Sequence, residues 1–191
     1  MRRTIVLCAG IAALSACGGD RTATETTTGL RPGAPSNQSF GSAVQRDLAA
    51  LRQATAGFHD IDVAGRAGWS APITDCMTSA LGGMGFHFGN TKLFDGSVRV
   101  DQPELLLYEP EQNGRMRLVA VEYIIPYAAH ARTDTPPELF GQQFKQVDAF
   151  QLWGLHAWVW KDNPSGMFAD WNPNVTCDHA PATASMSPMD H

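Results

Sequence analysis

Between residues 42 and 59 the apolar side chains recur at Val44, Leu48, Leu51, Thr55 and Phe58, in steps of four, three, four and three. That rhythm sets them on one helical face, with Arg46, Asp47, Arg52 and Gln53 outside, and predicts an amphipathic helix with Ser42 as its N-cap. A second short helical segment is expected over 61–68, closing at Gly68. Downstream the period changes. The segment GMGFHFGN at 83–90 reads as a short strand between glycines, with Phe86 and Phe88 on one face and His87 on the other. Asn113-Gly114 between two apolar runs is a hairpin signal, because both residue types accept positive φ. As a two-residue loop it pairs Leu105 with Glu122, Leu106 with Val121, Leu107 with Ala120, Tyr108 with Val119 and Glu109 with Leu118. The second run, 115–125, is apolar on both faces and reads as a central strand. Pro136-Pro137 interrupts the chain, and a short helix is expected over 138–147. Residues 150–161 (FQLWGLHAWVWK) read as a further strand, with Gly154, His156, Trp158 and Trp160 sharing a face. The following segment to Cys177 is punctuated by Pro164, Gly166 and Pro173. Its Met167, Phe168 and Trp171 suit an ordered loop packed over something, either a core flap stapled by the disulfide or a lid on a pocket.

These elements sum to an α+β domain: an antiparallel sheet of four or five strands with an N-terminal amphipathic helix packed on it. A dimeric ferredoxin-like barrel and a cone-shaped sheet with a helical lid both accommodate them, and the first makes a homodimer an expectation. Composition narrows the function classes. The net charge is −5 and no basic stripe is present, which excludes a dedicated nucleic-acid binder. The motifs HExxH, GxSxG, GxGxxG and GxxxxGK[ST] are all absent, which argues against the commonest hydrolases and nucleotide enzymes.

The two ends differ from the middle. Arg2 and Arg3 precede a short apolar run, Thr4 to Leu14, too short to span a membrane. Leu14-Ser15-Ala16-Cys17 follows, and this segment resembles the lipobox of bacterial lipoproteins. The resemblance implies that 1–16 is a signal peptide and that Cys17 is lipidated. Gly18 after the cysteine implies an outer-membrane anchor facing the periplasm. Residues 17–40 are rich in Gly, Thr, Ser and Pro and read as a flexible tether. Residues 179–191 read as a disordered tail. Its soft donors His179, Met186, Met189 and His191 make a copper-binding tail a weaker second reading. The domain itself is bounded at 41–178.

Four cysteines are present. Cys8 leaves with the signal and Cys17 carries lipid, so Cys76 and Cys177 remain for a disulfide in an oxidising compartment. The alternative for that pair is two thiolate metal ligands.

Three residues stand out chemically. His87 and His156 lie in apolar strand segments, and Glu122 is the lone carboxylate of the run LVAVEYII. A buried glutamate is costly unless something answers it. Two imidazoles and a carboxylate can ligate zinc, copper or iron, with the Met84 thioether as a further donor. They can also form an acid–base pair in a pocket lined by aromatic side chains such as Trp158 and Trp160. The third reading is structural: polar groups that satisfy one another in the core or at a partner interface.

The segments GMGFH, PELLLYEP with NGRMRLVAVEY, and LHAWVW with NPSGMF and WNPNVTC together resemble a family of uncharacterised bacterial secreted proteins and lipoproteins. The likeness spans about 45–177. It implies one exported domain and lends no catalytic role to any residue. The leading functional expectation is therefore a lipid-anchored envelope protein that binds a metal or a small apolar ligand. An envelope enzyme using His87, His156 and Glu122 is the alternative, and a purely structural lipoprotein the third.

Overall fold

The computed structural model describes residues 40–181. Helix α1 (Ser42–Thr55) buries Leu48, Leu51 and Thr55, with Val44 and Phe58 packed beside them, which is the face the periodicity predicts. Its N-cap is Gly41 and no side chain caps it, so Ser42 opens the helix rather than capping it. A 3₁₀ turn (Ala56–His59) leads to α2 (Ile61–Ala67), capped by the Asp60 side chain and ended at Gly68. Phe40, assigned to the tether, lays its ring edge-on against Phe168 at 5.5 Å.

The rest of the domain is built around one antiparallel sheet. Strands β1 (Ala71–Ser79), β2 (Gly82–Gly89), β3 (Leu105–Pro110) and β4 (Met116–Pro126) follow one another. A two-strand hairpin of β5 (Glu138–Leu139) and β6 (Gln142–Gln143) stands apart, and β7 (Lys145–Val147) and β8 (Leu152–Ala157) complete the main sheet. The order is β1-β2-β3-β4-β8-β7, six strands where four or five were expected. The two additional strands are the edges. Strand β1 lacks a clean alternation of buried and exposed positions and carries Pro72, which an edge tolerates. Three register shifts interrupt its pairing with β2. The helix expected over 138–147 is instead three short strands. Phe140 and Gly141 both take positive φ, 56° and 69°, as a two-residue hairpin turn requires. Phe140 and Phe144, whose four-residue spacing mimicked a helix, are both anchored in the core.

The β3–β4 hairpin departs from its expected register and then returns to it. Gly114 N–H donates to Glu111 O and Glu111 N–H donates to Arg115 O, so the loop holds three residues, with Gly114 at φ 78°. Tyr108 therefore pairs with Leu118 and Glu109 with Arg117. A bulge between Leu107 and Tyr108 restores Leu107 to Ala120, Leu106 to Val121 and Leu105 to Glu122. A one-residue slip turns every side chain to the other face, so the bulge decides which way Glu122 points.

The two faces are distinct. Leu106, Tyr108, Val121, Tyr123, Ile125, Trp153 and Leu155 pack in one cluster with the buried residues of the helices. Met84, Leu105, Leu107, Val119, Ile124, Trp158 and Val175 form a second cluster on the other side. The loop from Asp162 to Cys177 serves both sides: Phe168 and Met167 pack into the helix-side cluster, while Trp171 and Val175 close the second. It bridges to β2 through Gly83 and Asn172, and a Cβ on Gly83 would lie 2.7 Å from Val175 O, so only glycine admits the loop this closely. The disulfide Cys76–Cys177 fixes the end of the loop to β1 with a Cα–Cα distance of 5.8 Å. Among the described residues no helix is long and apolar enough to cross a membrane.

Candidate metal centre

Alternation along the strands aims three side chains at one point. Glu122 and His156 are direct cross-strand partners on β4 and β8. His87 lies on β2, opposite Leu107 and two strands from Glu122. The curl of the sheet brings it within reach. One donor atom from each of His87, Glu122 and His156 lies within 4.8 Å of the other two. His87 Nε2 is 3.6 Å and His156 Nε2 3.7 Å from Glu122 Oε2. All three residues are buried.

These separations exceed a hydrogen bond. They are not ion pairs either, because burial disfavours the charged form of each group. Burial, and the facing His156, hold His87 down to about 3. Burial, with Lys145 beyond it, holds His156 to about 3. Burial first, then the charges of Asp170 and Glu104, push the Glu122 carboxyl up to about 8. Near neutral pH both imidazoles are thus uncharged and keep a lone pair. His87 Nδ1 and Thr74 Oγ1 are hydrogen-bonded at 2.8 Å, and the tautomer in which Nδ1 donates leaves the Nε2 lone pair toward Glu122. His156 Nε2 is buried with no hydrogen-bond partner among the described residues. Such an orphaned nitrogen is uncommon in a folded protein and calls for an explanation.

The trio forms the floor of a cleft of about 290 Å³. Its walls come from Ile73 and Met77 of β1, Leu105 of β3, Ile124 of β4, Leu152 of β8, Phe150 and Trp171, so both edges of the sheet contribute. At the mouth Lys145 and Asp170 pair at 2.7 Å. Gly154 lies beside the floor, and a Cβ there would come within 2.9 Å of Glu122 Oε1. Glycine leaves that carboxylate room.

The other sequence candidates distribute differently. Met84 lines the cleft. Trp158 stacks near His156 with ring centroids 6.3 Å apart, and its Nε1 donates to Ala169 O, tying down the loop. Trp160 does not share that face. Strand β8 ends at Ala157, where Trp158 N–H turns to Met167 O, so Trp160 swings to the helix side and donates to Thr55 Oγ1 at 3.1 Å. Cys76 and Cys177 form a disulfide and are not thiolate ligands. His179 is exposed and apart from the trio, while Cys17, Met186, Met189 and His191 lie outside the described residues.

Sequence reasoning missed Thr74 and the Lys145–Asp170 pair, and it placed Gly154 on the face of His156 without giving it a role. Thr74 sits on the unanticipated β1. Gly154, two residues before His156 and on its face of the strand, carried a signal: a residue without a side chain next to a candidate ligand marks reserved space.

Family models, curated proteins and solved structures yield no match to this chain.

Proposed function

We propose that this domain binds one divalent transition-metal ion through His87, Glu122 and His156, with coordination positions left open to the cleft. We further propose that the chain is a lipoprotein, tethered through Cys17, which presents this centre at the cell envelope. The observation that carries the metal reading is the orphaned Nε2 of His156 in a buried cluster whose three donors surround a gap. A cation in that gap would answer all three donors at once. Two imidazoles and a carboxylate suit zinc, copper(II) and iron(II). Two of the three donor separations suit zinc, and the third lies within 4.8 Å. Bonds of about 2.1 Å in a tetrahedral site set ligand atoms roughly 3.4 Å apart, near the 3.6 and 3.7 Å found here. Thr74 supports the reading as the partner that orients His87.

The test is a zinc titration of the soluble chain without Cys17, stripped with chelator and followed by calorimetry. One ion per chain is expected, with that site abolished in His156→Ala and in Glu122→Gln while both variants keep the wild-type circular dichroism spectrum. Equal zinc binding in wild type and His156→Ala would overturn the reading. The anchor is tested separately. Incorporation of labelled palmitate by the full chain is expected in wild type and absent in Cys17→Ser.

A further inference from the structure

We propose that the cleft takes a small apolar monocarboxylate whose carboxylate completes the coordination of the metal; this deepens the metal reading above and rests on it. Three features of the cleft select that class.

The first is the shortage of free polar groups. Besides the trio, the hydrogen-bonding side chains of the lining are Thr74, Lys145, Gln146, Asp170 and the indole of Trp171. The first four are already engaged. Thr74 Oγ1 bonds to His87 Nδ1, Lys145 pairs with Asp170, and Gln146 Nε2 donates to Arg132 O. A sugar, nucleotide or peptide would bury several hydroxyls and amides against a single indole donor. The ligand's polar atoms must therefore be confined to one end, the end that meets the floor.

The second is charge. A divalent ion held by two neutral imidazoles and one carboxylate keeps a residual charge of about +1, and a buried charge needs a partner. With Lys145 and Asp170 cancelling each other at the mouth, one monoanionic oxygen donor neutralises the centre.

The third is size and lining. The remaining wall, including Ile73, Met77, Leu105, Ile124 and Leu152, is apolar. The cleft's volume of about 290 Å³ corresponds to on the order of ten water-sized groups at ~30 Å³ each. That matches a carboxylate carrying a chain of about seven methylene or methyl groups or a single ring, and is too little for a long-chain lipid.

The experiment uses the soluble chain, zinc-loaded and chelator-stripped in parallel, titrated with acetate, butyrate, hexanoate and octanoate and followed by tryptophan fluorescence and calorimetry. In the zinc-loaded protein affinity is expected to rise about fourfold per methylene up to octanoate. Octan-1-ol is expected to bind at least about tenfold more weakly than octanoate, because it brings no anion to the metal. Ile73→Asn, a change at a partly exposed edge position, is expected to weaken octanoate about tenfold with the zinc titration unchanged. One zinc per chain together with acetate and octanoate binding equally, or with octanoate binding equally to stripped and loaded protein, would overturn the ligand class and leave the metal site standing. Failure of zinc itself to bind would instead overturn the metal reading and this proposal with it.

Discussion

The two faces of the sheet bury polar groups in opposite ways. On the helix-covered face every buried hydroxyl or indole has its partner: Tyr108 Oη donates to Phe58 O, Tyr123 Oη to Val100 O, and Trp69 Nε1 to Pro103 O. Trp153 Nε1 donates to His130 O and Trp160 Nε1 to Thr55 Oγ1. The hydroxyls and indoles of that face are answered, as stability alone requires; the exception there is Glu104, two residues before Leu106 on the same side of the strand, whose Oε1 is buried without a partner among the described residues. The cleft face packs its own apolar cluster, yet at its centre stand two imidazoles and a carboxylate that do not hydrogen-bond one another, one nitrogen with no partner among the described residues. Packing could satisfy the first face without a ligand. The second has an arrangement that costs stability in the metal-free chain, and such local exceptions concentrate where a protein binds something.

That contrast can be broken or sharpened experimentally. The largest effect is expected from the link that holds the loop over the cleft face. Cys76→Ser with Cys177→Ser opens a loop of about 100 residues, for which the chain-entropy relation gives roughly 4.7 kcal/mol of lost stability. A urea midpoint unchanged from wild type would deny the disulfide this role. Leu106→Ala, on the helix-covered face, is expected to cost about 2–5 kcal/mol in urea unfolding while the zinc affinity of the folded protein stays as it was. A parallel loss of zinc affinity would mean that the faces are not separable.

The pH dependence of the metal-free chain separates the buried groups. His87 and His156 titrate near 6.5 when unfolded and about 3 when folded, so from these two alone stability rises with pH from about 3 to 6.5. Glu122 and Glu104, raised from 4.5 to about 8 chiefly by burial, act oppositely: the folded chain holds more protons, and stability falls between 4.5 and 8. From these four groups, stability should climb below pH 4.5, stay level to 6.5, then decline toward 8 at up to about 1.4 kcal/mol per pH unit for each carboxyl. Glu104 accepts from Ile124 N–H at 3.2 Å but its Oε1 has no partner. Glu104→Gln is therefore expected to halve the decline above pH 6.5, measured by urea unfolding at stepped pH. An unaltered slope would place that decline in other groups.

The smallest effect is the most local. Gly154→Ala puts a methyl 2.9 Å from Glu122 Oε1, which a flexible side chain can evade. Zinc affinity is expected to drop about tenfold, comparable to disturbing the support of a metal ligand, with stability within ~1 kcal/mol of wild type. Wild-type affinity in this variant would mean that the carboxylate is not held where the metal needs it.

Much of the fold was legible because it is local. The 3.6-residue rhythm of α1, the hairpin around Gly114 and the pair Cys76–Cys177 depend on nearby residue chemistry or on elimination among few cysteines. The edges were not legible. Strand β1 has no alternation to read, and the four-residue spacing of Phe140 and Phe144 imitates a helix in a segment that folds as short strands. Trp160 was set on the wrong face because the end of β8 is decided by Trp158 bonding to Met167, a partner nine residues away with no local signature.

The chain's residue pattern alone determined an α+β domain, the apolar faces of its helix and hairpin, and the three polar side chains too costly to bury without a purpose. Only the tertiary structure decided that the three meet. Their meeting depends on the curl of a six-stranded sheet and on a bulge that returns Glu122 to the face of Leu105 after a three-residue turn had shifted it. Twist and register are collective properties of paired strands, set by packing across the whole sheet, and no window of sequence around His87, Glu122 or His156 contains them.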